Sequence, residues 1–271
     1  MIRGLIQKSI FETRWTTLWI AAGLFAFEWL IAILLPAFSQ NFSQLLEQIS
    51  FLQRLVSALL GTPVDAEIGP AVMATIPWMH PFVLLLTWAL AIWFATRVPA
   101  GETDRGTIEL VLALPVSRPA WMVSEGVVFL GAVMVVMIAG MGGQSVARLS
   151  TTEGEVSVSL ATRIWLVLNL AALTIAVGGI AFLVSSLCER RGRAIGASCG
   201  IVAAFFILNS LAPFHEGIRR LSDFGLMHYY RPLALLQGDS VPLGDLVTLL
   251  IVGAILWTLA VAAFTRRDIR A

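Results

Sequence analysis

The chain has 271 residues, 58% of them hydrophobic and 13% charged, with a mean hydropathy of +0.86; soluble domains carry roughly 25% charge, so this composition marks a membrane protein. The formal net charge is +1 with the arginines scattered, which excludes nucleic acid as a partner, because phosphate binding needs a clustered basic surface. Two cysteines, Cys188 and Cys199, lie at one end of a predicted span and inside the next, a placement that suits neither a disulfide framework nor a thiolate metal site.

The predicted fold is all-α, a single polytopic domain over residues 1–271 with six transmembrane helices. Apolar stretches that approach or exceed the ~20 residues a bilayer requires run over 15–35, 82–96, 120–143, 164–187, 194–211 and 246–264. The second is short unless it begins near Ile76. Counting Lys and Arg on alternate sides puts Arg3, Lys8, Arg14, Arg97, Arg105, Arg118, Arg190, Arg191, Arg193, Arg266, Arg267 and Arg270 on one side. The other side has Arg54, Arg148, Arg163, Arg219, Arg220 and Arg231, so the positive-inside rule places both termini in the cytoplasm. Trp15, Trp19 and Trp121 then mark inner boundaries and Trp78 and Trp165 outer ones.

In chain order, the first span follows three basic residues and lacks a small-residue cleavage site, so it is expected to be retained rather than removed as a signal peptide. Glu28 sits midway along it, where a charge costs about 2.5–3.5 kcal/mol on insertion scales. It is expected to line a translocation path or carry a proton, or else to hydrogen-bond a buried neighbour such as Asn169 or Asn209. Leu45, Ile49, Leu52, Val56 and Leu59 keep a three-and-four spacing, which predicts an amphipathic outer helix over about 41–60. It would act as a cover over the span ends or as a lid over a transport path.

The polar stretch 102–118 falls between spans two and three on the inner side. Gly106-Thr107 can start a short helix with Ile108, Val111 and Leu112 on one face and Glu109 elsewhere; Pro115 stops it, and Ser117 can cap the third span. Such a helix either lies in the headgroups or docks into a soluble partner. Glu125, near the inner end of the third span, suits a snorkelling carboxylate or one paired with Arg118. Gly192, Gly196 and Gly200 recur every fourth residue, a small-residue seam for close helix approach within one subunit or between two. The outer segment 213–245 is expected to hold a short re-entrant or interfacial helix.

For chemistry the residues offer little. The only lysine, Lys8, is not in a phosphate loop. His80, His215 and His228 have no metal-ligand spacing. Gly196-Ala197-Ser198-Cys199-Gly200 matches the G-x-S-x-G pattern of serine hydrolases but lies inside a continuous helix without the strand-to-helix turn that exposes such a serine. The chain is expected to be no enzyme by itself.

Three stretches carry a resemblance. ETDRGTIELVLALPVSR (102–118) resembles the inner-loop signature of permease subunits of type-2 ATP-binding-cassette (ABC) exporters. AAFTRRDIRA is similar to that family's C-terminal ending, and GLMHYYRPLALLQGD to its last outer loop. The resemblance implies a permease in a prokaryotic inner cell membrane. It would pair with a second copy or a paralogue and with two separate ATPase subunits that bind ATP and Mg²⁺, this chain holding no cofactor. The inner-loop helix would be the coupling helix, with Glu102, Asp104, Arg105, Gly106, Thr107, Glu109 and Arg118 as its contact residues. Glu189, Arg190, Arg191 and Arg193 would make a second, smaller contact, and the second and fifth spans would line the subunit interface. The implied activity is export by alternating access. The alternative is a mechanical or signalling subunit that uses the same ATPase to act on an outer-face protein. The chain departs from the family pattern where relatives carry Lys near Glu125 and Lys-Glu in place of Lys8-Ser9.

Overall fold

Apolar runs with few charges must satisfy their backbone internally, and in lipid an isolated segment can do so only as a helix. The computed structural model describes residues 2–48, 70–150, 159–232 and 243–267, and among them holds no strand. The helices are α1 Ile2–Gln48, α2 Pro70–Met79, α3 Pro81–Ala95, α4 Gly101–Asp104, α5 Ile108–Leu112, α6 Arg118–Ser150, α7 Leu160–Leu187, α8 Arg191–Leu211, α9 Glu216–Ser222 and α10 Leu243–Arg266. Segments of α1, α6, α7 and α10, and α8 with the turn after it, are long and apolar enough to cross a membrane. The predicted second span corresponds to α3, which at 15 residues falls short of the ~20 needed for a crossing on its own.

The break before α3 has a local cause. Pro81 has no N–H to continue the α2 ladder and biases His80 toward extended backbone, found at φ −62° and ψ 134°. His80 then caps α3: its Nδ1 accepts from the Phe82 N–H at 3.2 Å. At the other end of the chain's first element, Pro36 does not break α1, which runs on to Gln48. Neighbouring groups can meet the carbonyl that a proline frees in a membrane helix. A separate helix over 41–60 is therefore corrected in its first part, which continues α1; residues 49–60 lie outside the described residues.

α7 is the central helix. In its most apolar window 78% is buried, against 22% for α1 and 17% each for α8 and α10. α1 lies against α6, and α10, α3 and α8 lie against α7. A ladder of rings ties the middle together, with Phe94 of α3 and Phe129 of α6 at 5.5 Å, and Phe129 and Phe182 of α7 at 5.8 Å. The α1–α6 approach depends on Gly143: a Cβ there would collide with the Phe25 carbonyl. Trp78 and Trp121 are fully buried and belong to this core, whereas Trp15 and Trp19 are exposed.

The segment after α8 carries the short helix expected of it, as a 3-10 turn over Ala212–Phe214, α9, and a second turn over Leu226–Tyr229. It is fastened by Tyr230, whose buried hydroxyl donates to the Trp78 carbonyl at 2.9 Å. Burial holds that hydroxyl well above the usual phenol range, with a smaller contribution from Glu28.

Candidate functional site

The short helix predicted to start after Gly106-Thr107 is present as α5, and a further helical turn, α4, precedes it. Between α4 and α5 the chain reverses at Gly106, whose φ of +69° is the left-handed region that costs an L-residue about 1–2 kcal/mol. α5 seats Ile108, 2% exposed, and leaves Leu110, 73% exposed, facing out; Glu109 is exposed with it. Ser117 caps α6 as predicted, its Oγ accepting from the Ala120 N–H at 3.3 Å.

Glu102 holds the two turns to the rest of the protein. Its carboxylate, 6% exposed, accepts from the Thr107 hydroxyl and from Arg105 at 3.2 Å, and lies 3.8 Å from the Lys8 ammonium of α1. Asp104 reaches the other way: its Oδ2 accepts from the Arg191 N–H at 3.2 Å, placing a carboxylate on the N-terminus of α8, where the helix dipole favours it. The Ala100 N–H donates to Ser185 Oγ of α7 at 3.1 Å. One segment is thus anchored to α1, α7 and α8.

Below it lies a hub that sequence reading missed. Arg97, just past the end of α3 and 5% exposed, donates from Nη1 to Glu12 and from Nη2 to Glu125 and to Ser9 Oγ, the last at 2.8 Å. Ser9 in turn donates to Glu125 at 3.0 Å, and Lys8 pairs with Glu12 at 3.2 Å. Glu125 is therefore no snorkelling surface group. It is 2% exposed and paired with Arg97, which reaches it across the α3–α6 contact. Arg118 is engaged elsewhere, donating to the carbonyls of Thr265 and Arg267 at 3.3 and 2.6 Å. Ser9 and Glu125, two positions that depart from the resemblance, touch one another.

Between these groups opens a cavity of about 500 Å³, walled by Lys8, Glu12, Arg97, Glu102 and Arg191, with Trp93 beside them. Arg191 closes its far side, donating to the Trp93 carbonyl at 3.3 Å. Glu189, Arg190 and Arg193 are exposed around it. Arg267 donates to the Cys188 carbonyl at 2.8 Å, which brings the end of α10 to the same place. The N-terminal turns, the 97–118 stretch, the 188–193 loop and residue 267 therefore converge on one end of the bundle.

Deeper in the bundle, Glu28 is fully buried and accepts from Gln144 Nε2 of α6 at 2.9 Å. Gln144, not Asn169 or Asn209, is its partner. Asn169 is buried with its Oδ1 unpaired, and Asn209 is half-buried. Gly192, Gly196 and Gly200 have nothing within 4 Å of an added Cβ, so the stripe seams no helix pair within this subunit and faces outward. Ser198 Oγ is buried without a hydrogen-bond partner, and a hydroxyl with no base beside it has no means of activation. Among the described residues no group of His, Cys, Asp and Glu could hold a metal ion.

Several helices long and apolar enough to cross a membrane, joined at one end by a buried ionic hub and a polar segment, mark a multi-pass membrane protein. The chain belongs to the family described as "Multidrug efflux system permease Rv1217c, C-terminal domain", which matches residues 12–265. A search of the curated proteins finds no match.

Proposed function

We propose that the chain is the permease subunit of an ABC-type efflux system of the type-2 class. It crosses the membrane six times, the second crossing being completed by α2 and α3 together, with both termini in the cytoplasm. It exports apolar molecules by alternating access, and the energy comes from ATP hydrolysed with Mg²⁺ on two separate ATPase subunits. The α4–α5 segment is the coupling element, its outward side presenting Arg105, Glu109 and Leu110 to the ATPase, with Arg190 and Arg193 as a smaller contact. A second permease, identical or related, covers the outward-facing Gly192, Gly196 and Gly200 of α8.

The observation that carries this reading is the pair of anchors behind the segment, Glu102 to Lys8 of α1 and Asp104 to the N-terminus of α8. A displacement of α4 and α5 is passed by these anchors to two helices, α1, which packs on α6, and α8, which packs on the central α7. A ligand-dependent contact can drive a transition only if it differs between the two states, and ATP-bound and ATP-free partners would supply that difference.

Co-reconstitution with the ATPase tests it. Glu102→Lys is expected to leave ATP hydrolysis within about twofold and to abolish ATP-driven efflux, and Lys8→Glu in the same chain to restore part of it. Normal efflux by Glu102→Lys rules the segment out as the coupling element.

A further inference from the structure

Three helices leave an open furrow on the membrane face of the bundle. α6, α7 and α10 diverge around a groove of about 310 Å³, walled by Gly126, Phe129, Gly179, Leu250, Ala254 and Trp257 among others. The groove exists because glycines face it: a Cβ on Gly126 would touch the Trp257 ring at 2.9 Å. Its wall is apolar throughout, and Trp257 Nε1 is turned into the packing without a partner. A site that selects drug-sized molecules fixes them with a few placed polar groups. This groove offers none, so it suits an occupant held by shape and apolar contact alone.

The same helices carry charge at one end. Arg118 opens α6 five residues before Val123, and Arg266 closes α10 nine residues after Trp257, about 13 Å along the axis. Arg118 and Arg267 meet there, Nη1 of one on the carbonyl of the other at 2.6 Å, and Arg266 is exposed beside them. None of the three arginines forms an ion pair among the described residues, and the bonds of Arg118 and Arg267 there go to backbone carbonyls, which carry no net charge. The headgroup layer adds about 5–7 Å to an apolar half-thickness of about 15 Å, so Trp257, about 13 Å from the cluster, lies near the middle of a tail whose phosphate sits on the arginines.

We infer that the α6–α7–α10 groove holds one acyl chain of an anionic phospholipid whose phosphate lies on the Arg118–Arg266–Arg267 cluster. Basic pockets at the ends of spanning helices hold anionic headgroups in this way. The inference extends the proposed permease reading by naming a lipid that this subunit retains in the leaflet at its cluster end, the cytoplasmic one in the proposed orientation, and it needs neither ATP nor transport to be tested.

The experiment uses the full chain in nanodiscs doped with phosphatidylglycerol or phosphatidylcholine bearing a photoreactive group midway along one tail, with labelled peptides located by mass spectrometry. Phosphatidylglycerol is expected to label 123–130 and 250–257 in excess of phosphatidylcholine. Arg266→Gln is expected to lower that preference about fivefold, the factor one arginine contributes near an anionic surface. Ala254→Trp and Val127→Trp fill the groove from its exposed rim on opposite walls, so loss of labelling in either well-folded variant supports a bound tail. Equal labelling by the two lipids, labelling that both tryptophan variants retain, or displacement of the label by a soluble apolar dye would overturn it. The last result would make the groove a substrate site.

Discussion

Arg97 and Glu125 form a buried ion pair across the contact of α3 with α6, and Ser9 of α1 bonds to both. Three helices are thereby tied at one point directly behind the α4–α5 segment. Breaking such a pair from one side strands a charge in a dry site, which costs about 3–5 kcal/mol, whereas replacing both partners with apolar groups of similar size is often neutral. Arg97→Ala is therefore expected to lower thermal stability in detergent sharply. Arg97→Met with Glu125→Leu together should recover most of the loss while removing the tie. Equal melting temperatures for Arg97→Ala and the parent would show that the pair contributes nothing.

Gly106 is the turn on which the segment depends. Gly106→Val has to adopt φ near +69° with a branched side chain, and is expected to straighten the α4–α5 turn while leaving the spans intact. Gly106→Asn, a residue that tolerates this region, should behave close to the parent. With the ATPase present, efflux lost in the valine variant and kept in the asparagine variant is the expected pattern. Loss in both would point to a role for the bare backbone at Gly106 in place of its conformation.

Glu28 and Gln144 test whether the buried acid transports or only packs. Gln144→Leu removes the donor at 2.9 Å and is expected to cost about 1–3 kcal/mol, the penalty for an unsatisfied buried polar group. Glu28→Gln keeps an acceptor for Gln144 and cannot carry a proton. Its efflux rate should match the parent at every pH between 6 and 8, as expected for a packing hydrogen bond; a loss confined to this variant would make Glu28 a proton carrier.

Much of this architecture is legible in the sequence because it is local. Spanning helices are written in run length, and the α4–α5 segment appears as a polar interruption of about the right size. His80 capping α3 is foreshadowed by Pro81. The hub is not legible, because Arg97 meets Ser9 and Glu12 at separations of 88 and 85 residues and Glu125 at 28, and no periodicity connects them. Arg97, Glu12 and Glu125 taken singly look like ordinary end-of-span charges, and Ser9 like a neutral surface hydroxyl. Gln144 escaped notice for the same reason: a lone amide in a span announces a need for a partner without naming it. The helix after Gly106-Thr107 is legible and the α4 turn before it is not, since Gly101–Asp104 is held by contacts to Lys8 and Arg191 that are distant in sequence.

The most direct test of ATP-driven export reconstitutes this chain in liposomes loaded with an apolar fluorescent dye, alone, with its ATPase, and with an ATPase lacking the phosphate-loop lysine. Dye is expected to leave only when ATP and the intact ATPase are both present. Dye loss from vesicles holding the chain alone, or retention of dye while the partner hydrolyses ATP on the assembled complex, would contradict it.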